Sequence, residues 1–409
     1  MPSPIDLQTK GIESMSVRHD IINYLVAVHA STGMSKTGFN PNLLRLLGIS
    51  AEEFAYSAAD ISGKYLRYFP YIEKAAESGA VKLDNAATTL VHELRHARGI
   101  VTESLQKEHE WIVSKLHVAQ VRPLFFKGRE FNRVVTGVPR VSGDFDYLVR
   151  QADLDTAIRV LEESGYRQGR TMSSAFRDLF SPDDPGMLRL QPLPTANKLE
   201  VRNCHHQVHA FYKVIECTQQ IDFHLDRPAP DFFVYFNHNQ KTYALSVIDL
   251  HFNIATGMDE DDYLRGLKHH SIYSDADEFL APEVLAFFFA GRAYYEPLVL
   301  NQPSYRDLID LFAVLHNCKD GFDWDWLTYL SLQYGNQAAL YYCLHHASVL
   351  MPSLVPDQVL EFLTQHLEQK PELDLGPFLP KAFGVTSFDH TVGHIIQAFS
   401  SQTNARIAA

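Results

Sequence analysis

The chain has 409 residues, 46% hydrophobic and 21% charged, with a formal net charge of −13. Such a length exceeds what one hydrophobic core usually serves, so two or three domains are expected, and the composition excludes a disordered chain. The 36 basic residues stand against 49 acidic ones without clustering in sequence, which disfavours nucleic acid as a partner, since every phosphate contact needs a Lys or Arg.

The start, Met1-Pro2-Ser3-Pro4-Ile5-Asp6, lacks the basic residues and apolar stretch of a secretory signal. No apolar run approaches the roughly 20 residues of a membrane helix, and the longest, 286–290, soon meets Arg292. A cytoplasmic location with no membrane partner is expected. The first third reads as helical. Leu90, Leu94, Ala97, Val101, Leu105, Ile112 and Leu116 recur on one stripe of a long helix that Asp84 or Asn85 can cap. The apolar run 121–126 predicts a buried strand, and Lys127-Gly128 a tight turn after it. A second strand is expected over Phe145–Val149. Leu154, Ala157, Ile158 and Leu161 then mark a helix that stops at Gly165. Residues 168–197, rich in Ser, Pro and Asp, read as a loop. Strand-like runs follow at 198–202, 213–217, 220–225 and 244–254, and helices at 284–295, 305–316, 325–334, 337–350 and 356–366. The expected fold class is α+β: a helical region over 1–118, an α/β core over 119–255 and a helical region over 256–409. The four cysteines, Cys204, Cys217, Cys318 and Cys343, form no CxxC pair and are expected to be reduced thiols.

The chemistry concentrates around Asp144-Phe145-Asp146. Residues i and i+2 of a strand share a face, so the two carboxylates stand side by side while Phe145 enters the core. Held together they repel unless a cation compensates, and hard oxygen donors suit Mg²⁺ or Mn²⁺. On this argument, neutralising Asp144 or Asp146 leaves the fold intact or makes it firmer. The preceding Gly128 turn lets backbone approach a phosphate closely, with Lys127 beside it to contact the phosphate or merely to solubilise the turn. Arg140 either supports the carboxylates or touches substrate, and His251 either lines the site or closes the core. Cys204-His205-His206 and His209 lack a second pair at zinc-finger spacing, so zinc is disfavoured. Phe287, Phe288 and Phe289 read as helix-packing core.

The stretch Phe125-Phe126-Lys127-Gly128, then Arg140-Val141-Ser142-Gly143-Asp144-Phe145-Asp146-Tyr147-Leu148-Val149, resembles the DNA polymerase β-like nucleotidyltransferase superfamily. Within it the chain is most similar to the uncharacterised nucleotidyltransferases, over about residues 100–350. Gly165-Tyr166, Ile248-Asp249-Leu250-His251, Asp310 and Trp324-Asp325-Trp326 agree in order. The resemblance implies a third carboxylate on a neighbouring strand that ligates metal and accepts the acceptor's proton. Asp249 fits that role, with Asp222 in Ile221-Asp222-Phe223-His224 as its imitation. Also implied are phosphate contacts from Lys127, Gly128, Arg140 and Ser142. The expected activity is transfer of a nucleoside monophosphate, AMP from ATP, to a small-molecule or peptide acceptor, in a pocket shaped by the helical C-terminal region. The chain departs from the superfamily's Gly-Ser turn: Arg129 follows Gly128, leaving Lys127, Arg129 or the displaced Ser142 to replace the serine. Two rival readings accompany this one. Residues 140–146 also resemble AbiE-type toxins, which implies tRNA or protein as acceptor, and the altered turn allows a non-catalytic binding or scaffold protein.

Overall fold

A computed structural model describes residues 55–56, 69–79, 81–135, 142–171, 188–191, 193, 207–222, 235–254, 280–295, 305–351 and 353–367. The short strands β1 (Ala55–Tyr56) and β2 (Lys82–Leu83) pair with each other and flank helix α1 (Phe69–Glu77). The long helix α2 (Asn85–Val118) comes next, then β3 (Leu124–Phe126), α3 (Gly128–Val134), β4 (Asp144–Leu148), α4 (Leu154–Glu163) and β5 (Arg167–Gln168). Two-residue strands β6 (Arg170–Thr171) and β7 (Leu190–Gln191) form a separate ladder. The central strands are β8 (Phe211–Glu216), β9 (Tyr235–His238) and β10 (Lys241–His251). Five helices end the described chain: α5 (Pro282–Tyr295), α6 (Tyr305–Cys318), α7 (Trp324–Gln333), α8 (Gln337–Leu350) and α9 (Asp357–Gln365).

The main sheet has the order β3-β4-β10-β8-β5 and is mixed, because β10 runs parallel to β4 but antiparallel to β8. The long β10 gives one edge first to β9, over Lys241–Ala244, and then to β4, over Val247–His251. Alternation along the strands gives the sheet two faces. Phe125, Tyr147, Ile248 and Leu250 point to one of them and bury against Ile112 and Leu116 of α2 and Ala157 and Leu161 of α4. Leu124 and Leu148 point to the other, where they join Phe131 of α3 and the apolar face of α5 in the largest core. On this second face the parity of β4 and β10 places Asp144, Asp146, Asp249 and His251.

The helical stripe expected along α2 is buried at Leu94, Ala97, Val101, Leu105, Ile112 and Leu116, while Leu90 is half-buried. Asp84 is the cap: its side chain accepts from the Ala87 N–H at 2.7 Å. Gly165, at φ +85°, ends α4 with hydrogen bonds back to Glu162 and, through Tyr166, to Leu161. The pattern did not reveal β9, whose hairpin to β10 turns on Asn239 and Gln240, both at positive φ, without the glycine that announces such turns. Residues 220–222 are not a strand, and the expected strand at 198–202 lies outside the described residues. Within 168–197 the β6–β7 ladder replaces part of the expected loop. Among the described residues no helix is long and apolar enough to cross a membrane, and Cys217, Cys318 and Cys343 are free thiols; Cys204 lies outside them. Because α2 spans both cores, Asp84→Ala is expected to cost about 1 kcal/mol of stability in a denaturant titration, with no change in the sheet's circular dichroism.

Candidate active site

Parallel pairing sets Asp249 of β10 directly beside Asp146 of β4, with Val247 beside Asp144 and His251 beside Leu148. One acceptor-bearing atom each from Asp146, Asp249 and His251 falls within 4.8 Å of the others. Above them, β3 ends in Lys127, held at φ +54° and ψ −113°, a backbone region that a lysine adopts only at a cost. That bend turns its side chain down onto the sheet. The Lys127 ammonium donates to Asp146 Oδ1 at 2.5 Å and lies 3.4 Å from His251 Nε2, which is itself 3.1 Å from the same Oδ1. All three side chains are buried, whereas Asp249 and Asp144 keep partial exposure. Helix α5 covers this face: the Phe288 ring lies 5.8 Å from the Lys127 ammonium and 5.5 Å from the Arg292 guanidinium, and Arg292 also pairs with Asp307 at 3.4 Å.

Charge within the cluster is unequally compensated. Burial opposes the Asp146 carboxylate, but the Lys127 charge and the His251 contact outweigh it and hold this carboxyl well below the usual carboxylate range. Asp249 is the reverse case. Burial, then the charges of Asp144 and Asp146, push it up to about 7 against the weaker pull of Lys127 and Arg292. His251 is pushed down to about 4 by burial and by Lys127, despite Asp146, so its imidazole is neutral at neutral pH. Repulsion therefore falls on Asp249, on the neighbouring strand. For Asp146 this corrects the expectation that neutralisation leaves the fold intact, because its carboxylate balances a buried ammonium.

The turn is built around close contact between Gly128 and Ser142. A Cβ on Gly128 would come 2.9 Å from Ser142 Cβ and 3.0 Å from its Oγ, so no side chain fits there. Ser142 Oγ in turn donates to Asp144 Oδ1 at 2.5 Å. A serine hydroxyl thus lies beside Gly128 in space although none follows it in sequence. Arg140 lies outside the described residues, as does the Arg129 side chain. Asp222 is exposed and accepts from Gln220 at 2.8 Å, away from the cluster. Cys204, His205 and His206 lie outside the described residues too, while His209 is buried and its carbonyl accepts from Gln168. Arg292 was not foreseen; its signal is a lone arginine on a largely apolar helix whose other charged residue is Glu283.

A cavity of about 860 Å³ opens from Gly128, Ser142, Asp144 and Asp146 along α2. Among the described residues its lining is drawn mainly from α2, β4 and the Gly128 turn, whereas the acceptor pocket expected from the sequence lay against the C-terminal helices. Its floor includes His109, which stacks on Phe145 at 4.6 Å and lies 2.6 Å from the Tyr147 hydroxyl. Its wall is the polar stripe of α2, including Arg95, His96 and Gly99. Glu73 lies behind Arg95 at 3.2 Å.

Two carboxylates of one cluster should respond oppositely to neutralisation. Asp249 is raised above its ordinary value of 3.8, so between pH ~4 and 7 the metal-free folded protein keeps a proton that the unfolded chain releases. Stability from this group is therefore lost as pH rises through 7. Asp249→Asn is expected to stabilise the metal-free protein by on the order of 2 kcal/mol at pH 8 and hardly at all at pH 4. Asp146→Asn leaves the buried Lys127 ammonium without its carboxylate and is expected to destabilise by about 3 kcal/mol at pH 7. Thermal denaturation of both variants across that pH range, with chelator present, checks each sign.

Neither a curated protein nor a solved structure matches the chain. A protein-family model described as "Uncharacterised nucleotidyltransferase" matches residues 85–352, from the first residue of α2 to just beyond α8. That span is well over half of the chain and contains every residue of the acidic cluster and its turn. The chain belongs to the uncharacterised nucleotidyltransferase family.

Proposed function

We propose that this protein transfers a nucleoside monophosphate, AMP from ATP, to a small-molecule or peptide acceptor on a polymerase β-like nucleotidyltransferase core. One observation carries the reading: Asp144, Asp146 and Asp249 face one side of two parallel strands beneath the Lys127-Gly128 turn. Two carboxylates and an imidazole within 4.8 Å suit a divalent cation, and a lysine ammonium already seated among them shows that the cluster accepts positive charge. Mg²⁺ or Mn²⁺, held by Asp144, Asp146 and Asp249, would supply charge neutralisation for the triphosphate.

The chain's own residues account for the remaining work. Gly128 admits a phosphate oxygen close to backbone, and Ser142 offers its hydroxyl at the same place. Asp249 accepts the proton as the acceptor's oxygen bonds to the α-phosphorus and the bond to the leaving pyrophosphate breaks. The α5 helix, through Phe288 and Arg292, closes the buried side against water. The acceptor then occupies the cavity along α2, whose volume lies in the range of small-molecule sites.

Against a tRNA acceptor stand the pairing of Arg95 with Glu73 and Glu77 and of Lys213 with Glu108 at 2.8 Å, which leave these cations little spare charge for a polyanion. Gel-shift titration at physiological salt is expected to show no micromolar tRNA binding; tight binding with steep loss on adding salt would promote the toxin-like reading.

Calorimetric titration of ATP with Mg²⁺ tests the core assignment. Asp144→Asn and Asp249→Asn are each expected to weaken triphosphate binding at least about tenfold and to abolish transfer. Unchanged affinity in both would leave a binding or scaffold protein. Gly99 tests the acceptor site separately. It lies mid-helix on the cavity wall, and a Cβ there meets nothing within 4 Å. Gly99→Leu is expected to stabilise the fold by up to about 1 kcal/mol through helix propensity, to leave ATP affinity unchanged and to reduce transfer by obstructing the acceptor.

A further inference from the structure

The Lys127 ammonium stands on the Asp146 oxygen that also faces His251, where a cation shared between Asp146 and His251 would stand. It touches Asp146 Oδ1 at 2.5 Å, and His251 Nε2 approaches the same oxygen at 3.1 Å from a neighbouring strand. A Mg²⁺ or Mn²⁺ ion bonds carboxylate oxygen at about 2.1 Å, so an ion on Oδ1 and an ammonium on Oδ1 would be two cations on one buried atom. The donor atoms of Asp146, Asp249 and His251, all within 4.8 Å, are already close enough to close around a single ion.

We infer that a divalent cation enters by exchange with Lys127, gains His251 Nε2 as a nitrogen ligand, and releases the Lys127 ammonium to the phosphates; this rests on the metal-dependent reading above. Lys127 is well placed for two positions. Its backbone sits at the junction between β3 and α3, next to Gly128, where the phosphate is expected, and with φ at +54° its side chain reaches Asp146. In the metal-free protein it keeps the buried carboxylate compensated. When a metal takes over that task, the same charge becomes available to the triphosphate. His251 gives the exchange its selectivity. Oxygen donors alone hold Mg²⁺ and Mn²⁺ with little distinction, whereas an imidazole nitrogen favours the transition metal. Ligation needs the Nε2 lone pair, with the ring proton on Nδ1. His251 and Lys127 are thus positioning residues for the metal, and their role is legible without turnover.

The test uses the full chain and the metals alone, with no nucleotide. Mn²⁺ and Mg²⁺ are titrated calorimetrically into wild type, Lys127→Met, Lys127→Gln and His251→Asn, and the Mn²⁺ complex is examined by pulsed electron paramagnetic resonance. Wild type is expected to bind Mn²⁺ more tightly than Mg²⁺ by about tenfold and to show ¹⁴N coupling from one imidazole. His251→Asn should lose that coupling and most of the preference. Either lysine variant should bind both metals at least about tenfold more tightly, because no ammonium competes. The glutamine variant serves if the methionine one fails to fold. A ¹⁴N-silent wild-type spectrum, lysine variants that bind no tighter, or no metal binding by any of the four proteins would each overturn the inference. Metal exchange with these signatures but no triphosphate binding would instead refute the nucleotidyltransferase reading and leave the exchange standing.

Discussion

Burying the Asp146 carboxylate is the constraint around which the described structure is arranged. A buried carboxylate without a partner would take up a proton or unfold its surroundings, so a positive group has to be brought to it. Lys127 does this from the end of β3, and the arrangement sets the rest of the turn. The lysine backbone is forced to positive φ, the next position has room only for glycine, and Ser142 packs into the space where a side chain would stand. A strained backbone, a small residue and a serine hydroxyl thus meet at one turn beside the buried carboxylate.

β4 and β10 run parallel, with Asp249 opposite Asp146. Alternation along β4 gives Asp144 and Asp146 one face, and alternation along β10 gives Asp249 and His251 one face. The register that pairs Asp146 with Asp249 merges the two and sets these carboxylates directly side by side. A slip by one residue would send Asp249 into the core of Phe125 and Tyr147 and put Leu250 in the site. The apolar alternates Phe145, Tyr147, Ile248 and Leu250 thus hold the register through their burial under α2 and α4, and the polar alternates carry the chemistry. On the polar face α5 supplies apolar cover together with one long cation, Arg292. Among the described residues the cavity beside the site runs along α2.

Much of this was legible in the sequence because it depends on local periodicity. The i, i+2 spacing of Asp144 and Asp146 is enough to place both on one strand face, and a stripe of apolar residues is enough to define α2. Lys127-Gly128 after an apolar run is enough to indicate a turn. What eluded the sequence are relations between segments far apart in the chain. The ammonium of Lys127 on Asp146, the imidazole of His251 on the same oxygen and the hydroxyl of Ser142 against Gly128 are each products of strand pairing. Of the two look-alike aspartates, Asp222 follows an apolar residue much as Asp249 does, and nothing local separates them. The ladder between β4 and β10 does, by setting Asp249 beside Asp146 and leaving Asp222 in solvent.

By itself the sequence determined the long helix α2, the strand face of Asp144 and Asp146 and the turn at Lys127-Gly128, because a period of two or of about 3.6 residues acts through bonds along the chain. Tertiary structure alone decided which charge is compensated and which is not. Asp144, Asp146 and Asp249 are chemically the same side chain. One lies at half-buried depth against a serine, one is neutralised by a lysine, and one is left to repel the other two. Those differences are set by distance and burial, and both come from strand register and helix packing, which no stretch of sequence contains.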